Sequence, residues 1–242
     1  FARDAEPSAW LSFLRHSGTP GLWHLLVTPL ARAGLPYASI HILNVAIVST
    51  GVAIFLRYAP LPLVLKLLVP FGVLPLHEYG VVARSYGLSF TLLMAVCGVL
   101  GARRPRPLLG DLLIALLANT NAHSRVLAAG LGLFWLLETG RVRQTGAPLL
   151  PRAAGLGMAV AAAGGLFAVW ILLPPDDPQA FAREFRVDRV LLSVLRDAFF
   201  PSFSRLPGGC LGAVSLVSIV LVLRRHREGF AFMLWSAAGL IT

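Results

Sequence analysis

The sequence predicts an all-α protein, a polytopic bundle of membrane helices. The 242 residues are 57% hydrophobic and 13% charged, and their mean hydropathy is +0.75. These values are far above the norm for a soluble domain. Apolar runs of roughly 20 residues, the length that crosses a bilayer, recur along the chain. Arginine clusters follow these runs at every second connection, which is the pattern of loops on the cytoplasmic face.

The first 36 residues are less hydrophobic than a membrane span should be. We expect residues 1–36 to form an outer loop that contains one surface helix. Pro20 stands where the first turn of a helix tolerates proline, and an amphipathic run follows as far as Arg32. Trp10 and Trp23 suit the headgroup zone of a membrane. A buried crossing is the alternative, but it would place every arginine cluster outside.

Residues 37–242 are predicted to form the transmembrane bundle, with about eight spans. These are Tyr37–Leu56, Leu61–Leu76, Gly87–Gly101, Leu108–Ala118, Val126–Leu137, Ala153–Leu173, Leu206–Leu223 and a last run from Gly229. Between the sixth and seventh spans, a long outer loop covers residues 174–205 and is expected to hold short amphipathic helices. The chain starts without a methionine and ends inside an apolar run, so we expect further membrane helices before Phe1 and after Thr242.

The net charge of +10 and a pI near 11.1 raise the possibility of a nucleic-acid partner. The basic residues lie in short clusters between apolar runs, however, and form no stripe with interleaved aromatic residues. We therefore expect no nucleic acid and instead expect arginines that meet lipid headgroups. Cys97 and Cys210 lack the spacing of a metal site and are expected to be buried as small apolar residues.

The segment His77–Gly87 concentrates polar side chains between two apolar runs. Ionisable groups at membrane depth are costly, so they normally mark a cavity, a substrate path or a catalytic site. In a helix, the seven-residue spacing places His77 and Arg84 on one face and the two tyrosines on another. With the arginine clusters inside, this segment and Asn119–Arg125 face outward.

Several short motifs follow one another along residues 18–138. A Thr-Pro-Gly-Leu-Trp-His helix start and a Gly-Leu-Pro turn precede two spans, and Glu-Tyr-Gly-Val-Val-Ala-Arg-Ser-Tyr-Gly-Leu comes after them. A basic turn and a hairpin tipped by Ala-Asn-Thr-Asn-Ala-His-Ser complete the order. This order resembles the bacterial membrane glycosyltransferases of the GT-C superfamily, near the protein mannosyltransferase and aminoarabinose transferase branch. In that branch a similar surface helix precedes the same spans, and an Ala-Arg-x-Tyr-like motif opens a later one.

The resemblance implies a transferase that takes a sugar from a polyprenyl-phosphate-linked donor at the outer face of the inner (plasma) membrane. A carboxylate then accepts the proton of the acceptor hydroxyl, and cations stabilise the departing phosphate. Asp4 is the catalytic candidate, with Glu6 beside it, although the acidic doublet of the superfamily is absent. The alternative is a carboxylate before Phe1. Arg84 matches the motif arginine and is the candidate for the phosphate, with snorkelling to headgroups as the alternative.

Four more residues complete the candidate substrate site. Tyr86 matches the motif tyrosine and is expected to bind phosphate or sugar, unless it is an interfacial anchor. Glu78 either binds substrate or forms a structural ion pair with Arg84. Asn121 and His123 lie at the hairpin tip, where we expect them to face outward toward the sugar or acceptor.

Two other functions fit the same sequence. One is a transporter or flippase for a lipid-linked or anionic substrate, with Arg84 and Glu78 lining its path, although the chain shows no inverted repeat. The other is a non-catalytic assembly subunit that kept the fold and lost the carboxylate. The sequence contains no cofactor motif and no histidine pair with zinc spacing, and it leaves a divalent metal ion open.

Overall fold

The computed structural model describes residues 7–17, 20–61, 63–71, 79–100, 102, 106–144 and 151–172. This part of the chain forms eight α-helices and contains no strand, which confirms the all-α class. The helices are α1 (Pro7–Ser17), α2 (Leu22–Arg32), α3 (Ala38–Tyr58), α4 (Leu63–Leu68), α5 (Ser85–Leu100), α6 (Pro107–Ala118), α7 (Ala122–Gln144) and α8 (Pro151–Leu172). The predicted loop 174–205 and the last two predicted spans lie outside the described residues.

A helix is present where one was predicted before residue 37, as α2, and α1 precedes it as an additional helix. The predicted place of α2 on the outer membrane surface stays a prediction. The guanidinium of Arg15 in α1 lies over the ring of Trp170 in α8, 5.2 Å from its centroid. At the end of α2, Gly34 has a positive φ of 70°. Its N–H donates to the Ala31 carbonyl at 3.1 Å, and the Leu35 N–H donates to the Leu30 carbonyl at 3.2 Å. This is a Schellman end, which favours glycine because a Cβ is strained at that φ.

α3 is the helix in the described residues that is long and apolar enough to cross a membrane. It has 21 residues with a mean hydropathy of 2.0, and 17% of its apolar window is buried in the protein. Shorter apolar helices cover Ser85–Leu100, Pro107–Ala118 and Gly155–Ile171. The first predicted span is therefore a helix of the expected length.

The second predicted span, Leu61–Leu76, is not a continuous α-helix where the structure describes it. α4 ends at Leu68, and a 3₁₀ turn, Val69–Phe71, follows. Pro70 lies inside this turn, and proline has no N–H to continue an α-helical ladder. Lys66 donates from Nζ to the carbonyl of Leu56 at 3.3 Å, which supplies one of the open carbonyls at the end of α3.

α6 lies at the centre of the bundle and packs against α5, α7 and α8, while α3 packs against α5. The core consists of apolar side chains from these central helices: Leu88, Leu92, Val96, Ile114, Leu117, Ala118, Ala128, Leu131, Trp135 and Ala168. Small residues allow the closest approaches. A Cβ on Gly164 of α8 would lie 2.8 Å from the Cβ of Ala115 in α6.

The prediction that Cys97 is buried is wrong, because its side chain is exposed. α5 packs with Leu88, Leu92 and Val96, which are spaced by four residues, and Cys97 follows that face by one position. Cys210 lies outside the described residues.

Candidate functional site

A buried asparagine of α3 holds the segment that leads into α5. Asn44 is 0% exposed, and its Nδ2 donates to the carbonyls of Tyr79 at 2.8 Å and Gly80 at 3.1 Å. Both partners are acceptors, so the amide nitrogen must face them. At Gly87, an added Cβ would lie 2.8 Å from the Oδ1 of Asn44 and 2.7 Å from Val48. Glycine at that position therefore lets α5 approach close to α3.

Two tyrosines of the segment lie together at the start of α5. The rings of Tyr79 and Tyr86 stack with centroids 6.4 Å apart, and the ring of Phe90 lies 5.9 Å from that of Tyr79. Tyr86 is 38% exposed. The seven-residue spacing predicted that both tyrosines share one face of a helix. The backbone between them is not a continuous helix, so they share no helix face, although their rings do lie together.

Arg84 lies between these tyrosines in the sequence and is exposed. Its backbone N–H donates to the carbonyl of Val82 at 2.8 Å. The predicted ion-pair partner, Glu78, lies outside the described residues, as does His77. We refer to Tyr79, Arg84 and Tyr86, on the backbone that Asn44 holds, as the α5 corner.

The predicted hairpin tip is joined to α5 through a chain of hydrogen bonds. The Nδ2 of Asn121 donates to the Oγ of Ser89 at 2.7 Å, and Ser89 donates to the Oγ1 of Thr120 at 2.7 Å. Thr120 then donates to the carbonyl of Leu117 at 2.8 Å. Ser89 is in α5, three residues after Tyr86. These hydrogen bonds therefore tie the turn between α6 and α7 to the N-terminal part of α5.

Asn121 is buried, at 5% exposure, and does not face outward as expected. Its Oδ1 accepts the N–H of Ser124 at 2.9 Å, so it caps the N-terminus of α7. Its amide is thereby engaged through both its oxygen and its nitrogen. His123, two residues later, is exposed. The two predicted residues of the hairpin tip therefore differ in environment. His123 is exposed, whereas Asn121 is buried and positions the turn.

The candidate base Asp4 and its neighbour Glu6 lie outside the described residues. Among the side chains that the structure describes, the buried carboxylate is Asp111 of α6, which is 3% exposed. It accepts a hydrogen bond from Trp135 and lies against Gly157, where a Cβ would collide with it. Sequence reasoning missed Asp111. The available signal was an acid inside an apolar run, which is rare in membrane helices unless it faces the protein interior.

α6, α7 and α8 enclose an apolar groove of about 460 Å³, the α6–α8 groove. Arg125 lines it near the hairpin turn and is 9% exposed, and Asp111 lines it farther along α6. Asp111 lies seven residues before Ala118, which is roughly 10 Å along a helix axis. The groove therefore offers one guanidinium and one carboxylate, each on a different helix, between apolar walls. Within the described side chains, no group of three or more His, Cys, Asp or Glu could hold a metal ion.

Comparison of the chain with family models, with curated proteins and with solved structures gives no match in any of the three. The α5 corner and the α6–α8 groove are therefore the observations on which a function rests.

Proposed function

We propose that the chain is a multi-pass membrane protein with about eight spans along its whole length. The apolar outer surface of the described helices supports this proposal. Ile42 of α3, Leu63 of α4 and Leu166 of α8 are 70%, 70% and 72% exposed. Soluble proteins rarely leave large apolar side chains exposed on so many helices, whereas lipid tails cover them without cost.

We further propose that the protein is a glycosyltransferase and that the α5 corner binds the phosphate and sugar of a polyprenyl-phosphate-linked donor. The observation that carries this proposal is an exposed Arg84 that lies in the sequence between the stacked Tyr79 and Tyr86, on a backbone segment held by buried Asn44. A guanidinium presents two parallel N–H groups to phosphate oxygens and keeps its charge at any physiological pH. The phenol groups can donate to sugar or phosphate oxygens.

The proposed reaction has one bond-forming and one bond-breaking event. The acceptor hydroxyl oxygen attacks the anomeric carbon, and the bond between that carbon and the phosphate oxygen breaks. The phosphate leaves with the electron pair, so negative charge grows on it, and Arg84 stabilises that charge. A carboxylate takes the proton of the acceptor hydroxyl, and Asp4 remains the proposed base.

Replacement of Arg84 by Ala tests the assignment. We expect transfer from a labelled polyprenyl-phosphate sugar in membranes to fall about 100-fold or more, because removal of one charge-stabilising donor has effects of this size. Arg84→Lys keeps the charge but loses the two-pronged geometry, so it should retain intermediate activity. Asp4→Asn is measured in parallel. If only Arg84→Ala loses transfer activity, the catalytic base is not Asp4. Full transfer activity in both variants would contradict the proposed site.

A transporter of lipid-linked substrates is the second candidate, and the α6–α8 groove favours it. Buried ionisable groups in membrane helices often mark substrate paths, and both Asp111 and Arg125 line this groove. Asp111→Asn removes the charge with little change of shape. A transporter would lose movement of a labelled lipid-linked sugar across vesicles, whereas the glycosyltransferase would keep its transfer activity. Absence of both activities in the unaltered protein would favour the assembly subunit.

A further inference from the structure

A second cavity, of about 420 Å³, lies between α1, α2, α6 and α8, and we refer to it as the α1–α2 pocket. Leu14 and Leu25 line it from the surface helices, and Val160 and Phe167 line it from α8. Among the described residues that line it, none is ionisable, and Trp10 and Asn119 carry polar side-chain groups. The pocket is thus separate in lining and in chemistry from the α6–α8 groove, which holds two charges.

The amide of Asn119 leaves its oxygen without a partner in the described structure. Its Nδ2 donates to the carbonyl of Ala115 at 2.8 Å and to the carbonyl of Gly164 at 2.9 Å. Both partners can only accept, so the nitrogen must face them and the orientation of the amide is determined. The Oδ1 is then left buried with no donor.

Trp10 presents the complementary group. Its Nε1 is buried and has no acceptor within the described part of the chain. An indole N–H can only donate. Buried polar atoms without partners are uncommon, since they lose their bonds to water and gain nothing in return. The two residues that carry this unsatisfied donor and this unsatisfied acceptor thus both line the same apolar cavity.

We propose that the α1–α2 pocket binds an uncharged amphiphile, a long-chain lipid alcohol whose hydroxyl end faces Asn119 and Trp10. A hydroxyl can donate to the Oδ1 of Asn119 and offers lone pairs to the N–H of Trp10. The apolar walls suit an alkyl chain. A carboxylate or ammonium headgroup would lose its hydration here and find no counter-charge, so the pocket excludes charged lipids. This site is independent of the proposed glycosyl transfer.

The test compares three probes of equal chain length on the full chain in phosphatidylcholine nanodiscs. The probes are 11-bromoundecanol, 11-bromoundecanoate and 1-bromoundecane, because bromine quenches the fluorescence of a nearby tryptophan. We expect the alcohol to bind about fivefold or more tightly than the other two, the ratio that one net hydrogen bond provides. Trp10→Phe should abolish this quenching. Trp23→Phe should retain it, because Trp23 is not among the residues that line the pocket.

Two variants separate recognition from folding, with tritiated undecanol as the ligand in equilibrium dialysis. Trp10→Phe keeps an aromatic ring and deletes the N–H, so the affinity for the alcohol should fall about fivefold. Val160→Phe enlarges a wall of the cavity and leaves both polar side chains unchanged in the sequence, and it should abolish saturable binding. Equal binding of the alcohol and the bromoalkane would overturn the proposal. Unchanged binding of the alcohol in both variants would also overturn it. So would the absence of saturable binding to the unaltered protein, which would mean that water alone fills the pocket.

Discussion

Three asparagines position backbone at one end of the bundle. Asn44 donates two hydrogen bonds to carbonyls of the segment before α5, and Asn121 caps α7. Asn119 donates to the carbonyl of Ala115 in the last turn of α6 and to the carbonyl of Gly164 within α8. Carbonyls at breaks between membrane helices lack helical partners and cannot turn to water. An amide side chain can supply both hydrogens of its nitrogen to such carbonyls. These residues therefore hold the α5 corner and the hairpin turn in place.

Replacement of Asn44 by Leu should destabilise the protein. The carbonyls of Tyr79 and Gly80 would lose their donors, and buried groups left unsatisfied cost about 1–3 kcal/mol each. The unfolding midpoint in detergent should fall, and proteolysis after Arg84 should become faster. Thr50→Ala is the matched control on the same helix, because the Thr50 hydroxyl is exposed and bonds only to Ala46 of its own helix. Equal stability of the two variants would contradict the role of Asn44.

His24 in the surface helix α2 should make stability depend on pH. Burial lowers the pKa of the His24 imidazole from its ordinary value of 6.5, and its ring packs edge-on against Phe13 with centroids 5.5 Å apart. The folded pKa is the lower one, so the unfolded chain binds more protons in acid. The stability contribution is present above pH 6.5 and is lost as the pH falls through the folded pKa.

The variant His24→Phe keeps an aromatic ring against Phe13 and cannot titrate. The decrease in its unfolding midpoint from about pH 7.5 to about pH 5 should therefore be smaller than the decrease in the unaltered protein. The same pH slope in the unaltered protein and in His24→Phe would exclude His24 as the titrating group.

At the scale of elements, α6 is short, since 12 residues extend roughly 18 Å and a bilayer core is about 30 Å thick. Its C-terminal turn, residues 119–121, therefore falls at membrane depth in the proposed arrangement. Irregular backbone at such depth is tolerated only when protein surrounds it. Thr120 is 0% exposed, and the chain of hydrogen bonds through Ser89 and Asn121 satisfies the turn. The polar hairpin tip thus serves the fold first.

The packing of α8 on α6 leads to a prediction for two adjacent glycines. Gly164→Ala would place a Cβ 2.8 Å from the Cβ of Ala115, so it should separate the helices and destabilise the protein by about 1–3 kcal/mol. At Gly165 a Cβ would meet nothing within 4 Å, so Gly165→Ala should stabilise α8 by about 0.5–1 kcal/mol. Unfolding midpoints in detergent measure both. A shift in the same direction for both variants would be incompatible with this packing.

At the scale of the whole molecule, most of the buried polar side chains that the structure describes lie at one end of the bundle, the polar end, while Asp111 lies apart from them in the first half of α6. Apolar side chains are exposed on the outer faces of the described helices. The ends of α3, α5, α6 and α7 that meet at this polar end carry Asn44, Ser89, Thr120 and Asn121. The arginine clusters of the sequence follow the opposite ends of α3 and α5. In the proposed membrane arrangement, the positive-inside rule would place the α5 corner on the outer side.

Cysteine labelling tests this orientation. In a background in which Cys97 and Cys210 are replaced by Ser, His123→Cys should react with a membrane-impermeant maleimide added to intact cells. Arg57→Cys, at the opposite end of α3, should react only after the membrane is permeabilised. Both positions are exposed in the structure, so the difference reports sidedness rather than burial. The reverse pattern would turn the α5 corner inward and would contradict the proposed donor site.

Hydropathy located α3, α5, α6 and α8 to within three residues at each end, because long apolar runs specify membrane-like helices whatever their neighbours. α7 proved longer than predicted, since Arg125 and the polar residues after Leu137 continue the helix. α4 proved shorter, because Pro70 ended the α-helical ladder. Periodicity thus predicts where helices occur, while their ends depend on local hydrogen bonds.

The sequence by itself determined the all-α class and most of the helices, because composition and spacing act locally. Tertiary structure alone decided that Asn121 is buried and that Asp111 lines a groove. It also decided that the unpartnered groups of Trp10 and Asn119 share a pocket. These outcomes depend on which helix faces pack together. A polar residue in an apolar run has no defined partner until the packing of neighbouring helices supplies one.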